Sequence, residues 1–139
     1  MTTEHTITCN WQSGVAFEAT VSGFQIPIDA AEEVGGKGSG ARPKQLMLAS
    51  LAGCSGIDVA SILKKMRVEF DDLNIEVKAT LSDGSPQVYT HVHMEYVFTG
   101  DKVDRQKAQR AVELSQEQYC GVTVMFKKFA EVTYELKFL

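Results

Sequence analysis

Two of the three cysteines lie in segments whose residue types could support thiol chemistry. Cys54 falls in the stretch Leu48 to Lys65, LASLAGCSGIDVASILKK, which looks helical yet places Gly53 before the thiol and Gly56 two residues after it. Each interior glycine costs about 1 kcal/mol of helix stability relative to alanine. The expectation is that the pair thins the helix beside Cys54, so that a partner helix, a substrate or Cys120 can come close. Residues four apart share a helical face. Ser50, Cys54 and Asp58 therefore form a line, extended by Ser61 and Lys65, on an otherwise apolar helix. The thiolate is the reactive form, favoured by nearby cations or a helix N-terminus, and Asp58 on the same face opposes it. Cys54 sits about three turns into the helix, beyond much help from the dipole. Its activating charge must be brought in by the fold, with Arg42 and Lys44 at the helix start, or Lys127 and Lys128 near Cys120, as candidates.

Cys120 ends one helical segment, EQYC, and begins the next, CGVTVMFKKF. N–H groups of that second segment can point at its sulfur and favour a thiolate. Read alone, each cysteine also fits the commoner role of a small buried hydrophobe. Cys9, in an alternating row with Ile7 and Trp11, fits that role best.

These side chains need elements to position them. From residue 6 to 28 apolar residues alternate, with Ser13-Gly14 and Ser22-Gly23 as punctuation, which predicts a three-stranded meander. Residues 29 to 42, DAAEEVGGKGSGAR, read as a mobile loop that could close over a site. Pro43 suits the first turn of a helix running to about Arg67, apolar or small on nearly every side and so expected to be buried on more than one face. One sheet cannot cover such a helix, but a partner chain could. A hairpin follows, its wet face carrying His91, His93 and Glu95 and its dry face Val92, Met94, Tyr96 and Phe98. Asp104 is an N-cap candidate for a polar helix to about Gln118, with Ala108, Ala111, Val112 and Tyr119 inward. A short helical turn and a last strand with Val132, Tyr134, Leu136 and Phe138 close the chain. The expected architecture is α+β, βββ-α-ββ-α-α-β, mainly antiparallel, with a buried central helix in one domain spanning residues 1–139.

Composition narrows the function classes. A chain of 139 residues with 44% hydrophobic and 23% charged residues and a net charge of −4 gives no electrostatic case for a nucleic-acid partner. No apolar run was expected to reach the ~20 residues of a membrane span, and the N-terminus lacks the pattern of a signal peptide, so the expected location is the cytoplasm, without a membrane partner. Three cysteines in a reducing compartment argue for redox chemistry over scaffolding. GGKGSG lacks the spacing of a phosphate-binding loop. His91 and His93 are two ligands without a third at metal spacing, so they read as a solvated face and no metal or cofactor is expected.

ARPKQLMLASLAGCSGIDVASILKK, followed much later by ELSQEQYCGV, resembles the two cysteine motifs of the OsmC/Ohr family, the osmotically inducible and organic-hydroperoxide-resistance proteins. The likeness extends over nearly the whole chain in element order. It implies an intertwined homodimer with long central helices packed together and two sites at the subunit interface. It also implies that Cys54 attacks a peroxide O–O bond and becomes a sulfenic acid, that Cys120 forms the resolving disulfide, and that a dithiol, often lipoyl-based, reduces it. The chain departs from the family at the activating pair. Hydroperoxide-resistance members carry a glutamate just after the helix-opening proline and an arginine from the N-terminal region, whereas here Lys44 and Gln45 follow Pro43 and no arginine precedes Arg42. GIDVASILKK is closer to the OsmC-like branch. The expected function is thiol-dependent reduction of organic hydroperoxides through Cys54 and Cys120; the alternative is a non-catalytic dimer that binds an apolar small molecule.

Overall fold

The computed structural model describes residues 2–139 and divides into two compact units, Met1–Met47 and Leu48–Leu139. In the first, Ser22 (φ 50°) and Gly23 (φ 82°) are both left-handed, the backbone of a two-residue turn whose twist matches that of paired strands. That turn and an earlier one at Gly14 fold the segment into the expected meander: β1 Thr8–Ser13, β2 Ala16–Val21 and β3 Phe24–Ile28, antiparallel in the order β1-β2-β3. Cys9 pairs with Ala19 and Trp11 with Phe17, so the alternating apolar rows do share one face. In the single chain that row is largely open: Trp11 is 63% exposed, and Cys9 is exposed where a buried position was expected.

The glycine-rich loop is pinned. The Asp29 carboxylate accepts hydrogen bonds from the backbone N–H of Ala30, Lys37 and Ser39 and from Ser39 Oγ, at 2.8–3.1 Å. These donors hold the Asp29 carboxyl well below the usual carboxylate range. Two of the glycines serve close backbone approach: a Cβ on Gly36 would collide with the Ala30 carbonyl oxygen, and one on Gly40 would lie 2.5 Å from Ile28 N. Glycine content thus reflects tight packing around a buried carboxylate, where looseness had been expected.

The long helix α1, Pro43–Lys65, starts at the expected proline and stops two residues before Arg67, whose φ is 59°. Its 23 residues make it long and apolar enough to cross a membrane, more than the sequence had suggested, but its Leu51, Val59 and Leu63 are core residues. Its buried residues form one stripe at four-residue spacing, Leu51, Ser55, Val59 and Leu63, while Ile57 stays 73% exposed. The helix is therefore buried along one face in the single chain, not on several.

The second unit also holds β4 Asp72–Leu81, β5 Tyr89–Thr99, α2 Arg105–Leu114, α3 Gly121–Lys127 and β6 Glu131–Phe138. β5 is central, antiparallel to β4 and parallel to β6. Period-two alternation on β5 sends Val92, Met94, Tyr96 and Phe98 into a core with the α1 stripe, Ala108, Ala111, Val112 and Phe126, each large apolar side chain contributing about 1.5–3 kcal/mol of burial. The other face is polar but less wet than expected, with His93 Nδ1 2.7 Å from Thr133 Oγ1 and Glu95, itself buried, held by Lys137 at 3.1 Å. Asp104 caps α2 by accepting from Lys107 N at 3.1 Å. Past Leu114 the chain widens into a π-helical turn, Ser115–Tyr119, closed by Cys120 N–H donating to the Ser115 carbonyl at 2.9 Å. The wider turn shifts the inner face, so Ser115 and Gln116 are buried and Tyr119, expected inward, is 58% exposed. The observed order is the expected α+β arrangement.

Candidate functional site

The extra residue in the π-helical turn decides where Cys120 lands. Such turns re-aim the residues that follow them and recur at functional sites. Here the turn delivers Cys120, fully buried, to the face of α1 that carries Cys54 and Asp58: the two sulfurs and an Asp58 carboxylate oxygen all lie within 4.8 Å of one another. Tertiary folding has joined two thiols distant in sequence.

Cys120 is the N-cap of α3, and Thr123 N–H donates to its sulfur at 3.3 Å, the contact expected from the sequence. The net electrostatic effect is the reverse of that expectation. Burial pushes the Cys120 thiol up, neighbouring Cys54 adds to the rise, and the Thr123 donor only partly offsets it. Cys120 is held as a thiol.

Two of the four cations named from the sequence have partners of their own. Lys127 Nζ donates to the Gln116 carbonyl at 3.0 Å, which ties α3 to the π-helical turn. Arg42 donates to the Gly40 carbonyl at 3.4 Å within the first unit. Within the second unit, a charged group beside both sulfurs is Asp58.

Behind Asp58 runs a buried polar chain that the sequence reading missed. Gln116 Nε2 donates to Tyr96 Oη at 2.7 Å; Tyr96 Oη and Ser55 Oγ are 2.6 Å apart, Ser55 Oγ and Ser115 Oγ 2.8 Å, and Ser115 Oγ donates to Asp58 Oδ2 at 3.1 Å. Each hydroxyl has one proton to give. With Asp58 Oδ2 as the terminal acceptor, Ser115 gives its proton to Asp58, Ser55 gives to Ser115, and Tyr96 gives to Ser55. Burial pushes the Tyr96 phenol up, which keeps it a donor. The chain anchors one carboxylate oxygen of Asp58 and so orients the group toward the thiols. One signal for it was present in the sequence: Ser55 interrupts the apolar four-residue stripe of Leu51, Val59 and Leu63.

Gly53 and Gly56 do not open the path to Cys120. A Cβ on Gly56 would meet Ile75 Cδ1 at 3.1 Å, and Gly53 faces open space. With Ile57, Ala60 and Phe70 they line a groove of about 480 Å³. A second groove, about 570 Å³, starts at Asp58 and is bounded by Ile57, Ser61, Ile62, Lys65, Leu114 and Tyr119, which absorbs the outer end of the predicted polar stripe.

A two-layer α+β unit with a long helix presenting one cysteine to a second at the start of a short helix defines a class of thiol proteins. The family model described as OsmC-like protein matches residues 36–135, and the chain belongs to that family. Protein YhfA of Escherichia coli strain K12 is 33% identical over 126 residues, covering 89% of this chain and 90% of YhfA. A crystal structure of a hypothetical protein from Aquifex aeolicus VF5 superposes with a TM-score of 0.82 at 31% identity, over 100% of this chain and 99% of the other. The organic hydroperoxide resistance protein OhrB of Bacillus subtilis superposes with a TM-score of 0.63 at 26% identity, over 95% and 96% of the two chains.

Proposed function

We propose that this chain reduces organic hydroperoxides with Cys54 as the attacking thiol and Cys120 as the resolving one. The observation that carries the reading is the approach of the two sulfurs, within 4.8 Å, beside a single oriented carboxylate. Cys54, half-buried, is the more accessible of the pair, and Cys120, buried and held protonated, suits the later step. In the first step the Cys54 sulfur attacks the outer peroxide oxygen, the O–O bond breaks, and an alcohol leaves while the sulfur becomes a sulfenic acid. Asp58 takes the thiol proton and returns it to the departing alkoxide. In the second step Cys120 attacks the sulfenic sulfur, water leaves and the disulfide forms. A dithiol of the lipoyl type then restores both thiols. The groove at Asp58 offers apolar walls for the alkyl part of the substrate.

The single chain leaves Ile57, Tyr119, Met125 and Phe129 each about half exposed or more. Ile57 and Tyr119 line one groove together, and a contiguous apolar face there suits association. The functional form in this proposal is a homodimer, with the two units of each chain acting as one OsmC-like domain. Light scattering then returns twice the 15.3 kDa chain mass, and a monomer at micromolar concentration contradicts it.

The test uses a Cys9→Ser background, because Cys9 is exposed and open to side reactions. Stoichiometric cumene hydroperoxide should remove two thiols per chain and form an intrachain Cys54–Cys120 disulfide, faster than hydrogen peroxide does. Cys120→Ser should stop at a sulfenic acid. If the parent loses no thiols, or if Cys120→Ser gives no Cys54 sulfenic acid with peroxide, the mechanism is wrong. One observation favours a second reading, a dimer that binds an apolar molecule without chemistry: the charge beside the sulfurs is a carboxylate, which opposes thiolate formation. Slow, peroxide-independent thiol loss together with saturable binding of an apolar probe would select it.

A further inference from the structure

We propose that reduced Cys54 and Cys120, together with Asp58, form a binding site for a thiophilic divalent cation of the zinc class. The inference shares its sulfurs with the peroxide reading but needs only their proximity, not their reactivity. Three ligand atoms of three different side chains already lie within 4.8 Å of one another. Tetrahedral zinc with thiolate and carboxylate ligands places such atoms about 3.5–3.8 Å apart, so a closure of at most about 1.3 Å completes three corners of the site. Cys54 and Asp58 stand one helical turn apart on α1 and close by side-chain rotation, while Cys120 is fixed at the start of α3.

The donor set selects the ion. Two sulfurs favour zinc-class cations over magnesium or calcium, which take oxygen shells. Three protein ligands leave the fourth position open, as in zinc sites that exchange water or substrate. The outer shell is in place as well: Ser115 Oγ donates to Asp58 Oδ2 at 3.1 Å, itself backed by Ser55 and Tyr96, leaving the other carboxylate oxygen for the ion. Charge adds a further argument. The sulfurs lie beside a carboxylate, and a divalent cation supplies the positive charge that turns thiolate and carboxylate into ligands. Binding displaces the two thiol protons to solvent and changes no oxidation state. A chain loaded this way has neither thiol free to meet peroxide, and disulfide formation removes two of the three ligands. Cation retention and oxidation are mutually exclusive.

The experiment is competition between reduced Cys9→Ser protein and a chromophoric chelator for Zn²⁺. One ion per chain is expected, with two thiols shielded from a disulfide reagent. Cys54→Ser, Cys120→Ser and Asp58→Asn should each weaken retention by more than the about 10-fold expected for Ser115→Ala, a change in the outer shell. His93→Ala should leave it unchanged. Circular dichroism reports folding of each variant; if Asp58→Asn unfolds, Asp58→Ser replaces it and should weaken retention likewise. Failure of the reduced parent protein to hold zinc, or retention indifferent to Asp58 in a folded variant, overturns the proposal. Peroxide oxidation of the same protein in chelating buffer is scored separately. A protein that forms the disulfide but holds no zinc loses only this inference, and one that holds zinc but resists peroxide loses only the preceding one.

Discussion

Two places in the second unit bring three ligand-type side chains within 4.8 Å, Cys54 with Asp58 and Cys120 on the helical side and His93 with Glu95 and Glu135 on the sheet. They differ in what neutralises them. On the sheet, Lys137 Nζ lies 3.1 Å from Glu95 and 3.8 Å from Glu135, and Lys78 is 3.7 Å from Glu95, so the anions already have fixed cations. The hydrogen bond and charge of Lys137 draw the Glu95 carboxyl below its usual range although burial opposes this. On the helical side the carboxylate is met by a hydroxyl donor, and the sulfurs by burial and a backbone N–H. The sheet cluster is electrostatically complete within the chain. The thiol cluster is left to be completed by a proton, a substrate or a cation, which separates a site from a brace.

The largest effect that would break this distinction concerns the thiols. Cys54→Ser should abolish peroxide-dependent loss of Cys120, because a buried, protonated thiol has no independent reason to react; mass spectrometry after peroxide treatment checks it. Persistence of Cys120 oxidation at the parental rate would give the attacking role to the wrong cysteine. Next in size is stability. Tyr96→Phe removes the hydroxyl that serves Gln116 and Ser55 in the buried chain, at a cost of about 1–3 kcal/mol for polar groups left short of partners. His93→Ala on the sheet face, where solvent replaces the lost partners, should cost less than about 1 kcal/mol. Urea midpoints compare the two. Equal losses would mean that the hydroxyl chain is no more built into the fold than the exposed ion pairs.

The contrast also explains what the sequence could disclose. Strand alternation, the Ser22-Gly23 turn, Pro43 and Asp104 are local signals, and the elements they announce are where the sequence put them. The stripe of Cys54 and Asp58 was legible for the same reason, since both lie on one helix. Three features were not. The Asp29 anchor depends on donors eight and ten residues away, so GGKGSG looked loose. The π-helical turn follows no hydrophobic period, which hid Ser115 and Gln116 and sent Tyr119 to the wrong side. The chain from Tyr96 to Asp58 joins one strand, one helix and that turn, and no single segment carries its pattern.

The smallest predicted effect is the pH dependence of stability, where the two clusters should act at opposite ends. The folded state holds the Glu95 carboxyl below its unfolded value of about 4.3, so its contribution is present above that pH and fades as pH falls through the depressed value. The Cys120 thiol is held above its unfolded value of about 8.5, so its contribution is whole below that pH and is lost as pH rises toward the raised one. Tyr96 and Tyr134 are also raised by burial, but their unfolded value of about 10 places their losses at still higher pH, which leaves the range just above 8.5 to the thiol. Lys137→Met should therefore make the acid limb shallower, the rest of it belonging to the depressed Asp29 carboxyl, and leave the profile just above about pH 8.5 alone, while Cys120→Ala should flatten the first part of the alkaline limb and leave the acid limb alone. Chemical denaturation at half-unit intervals from pH 3 to 10 resolves both. If either variant altered both limbs, the two clusters would be coupled through the core, and the separation between brace and site would no longer hold.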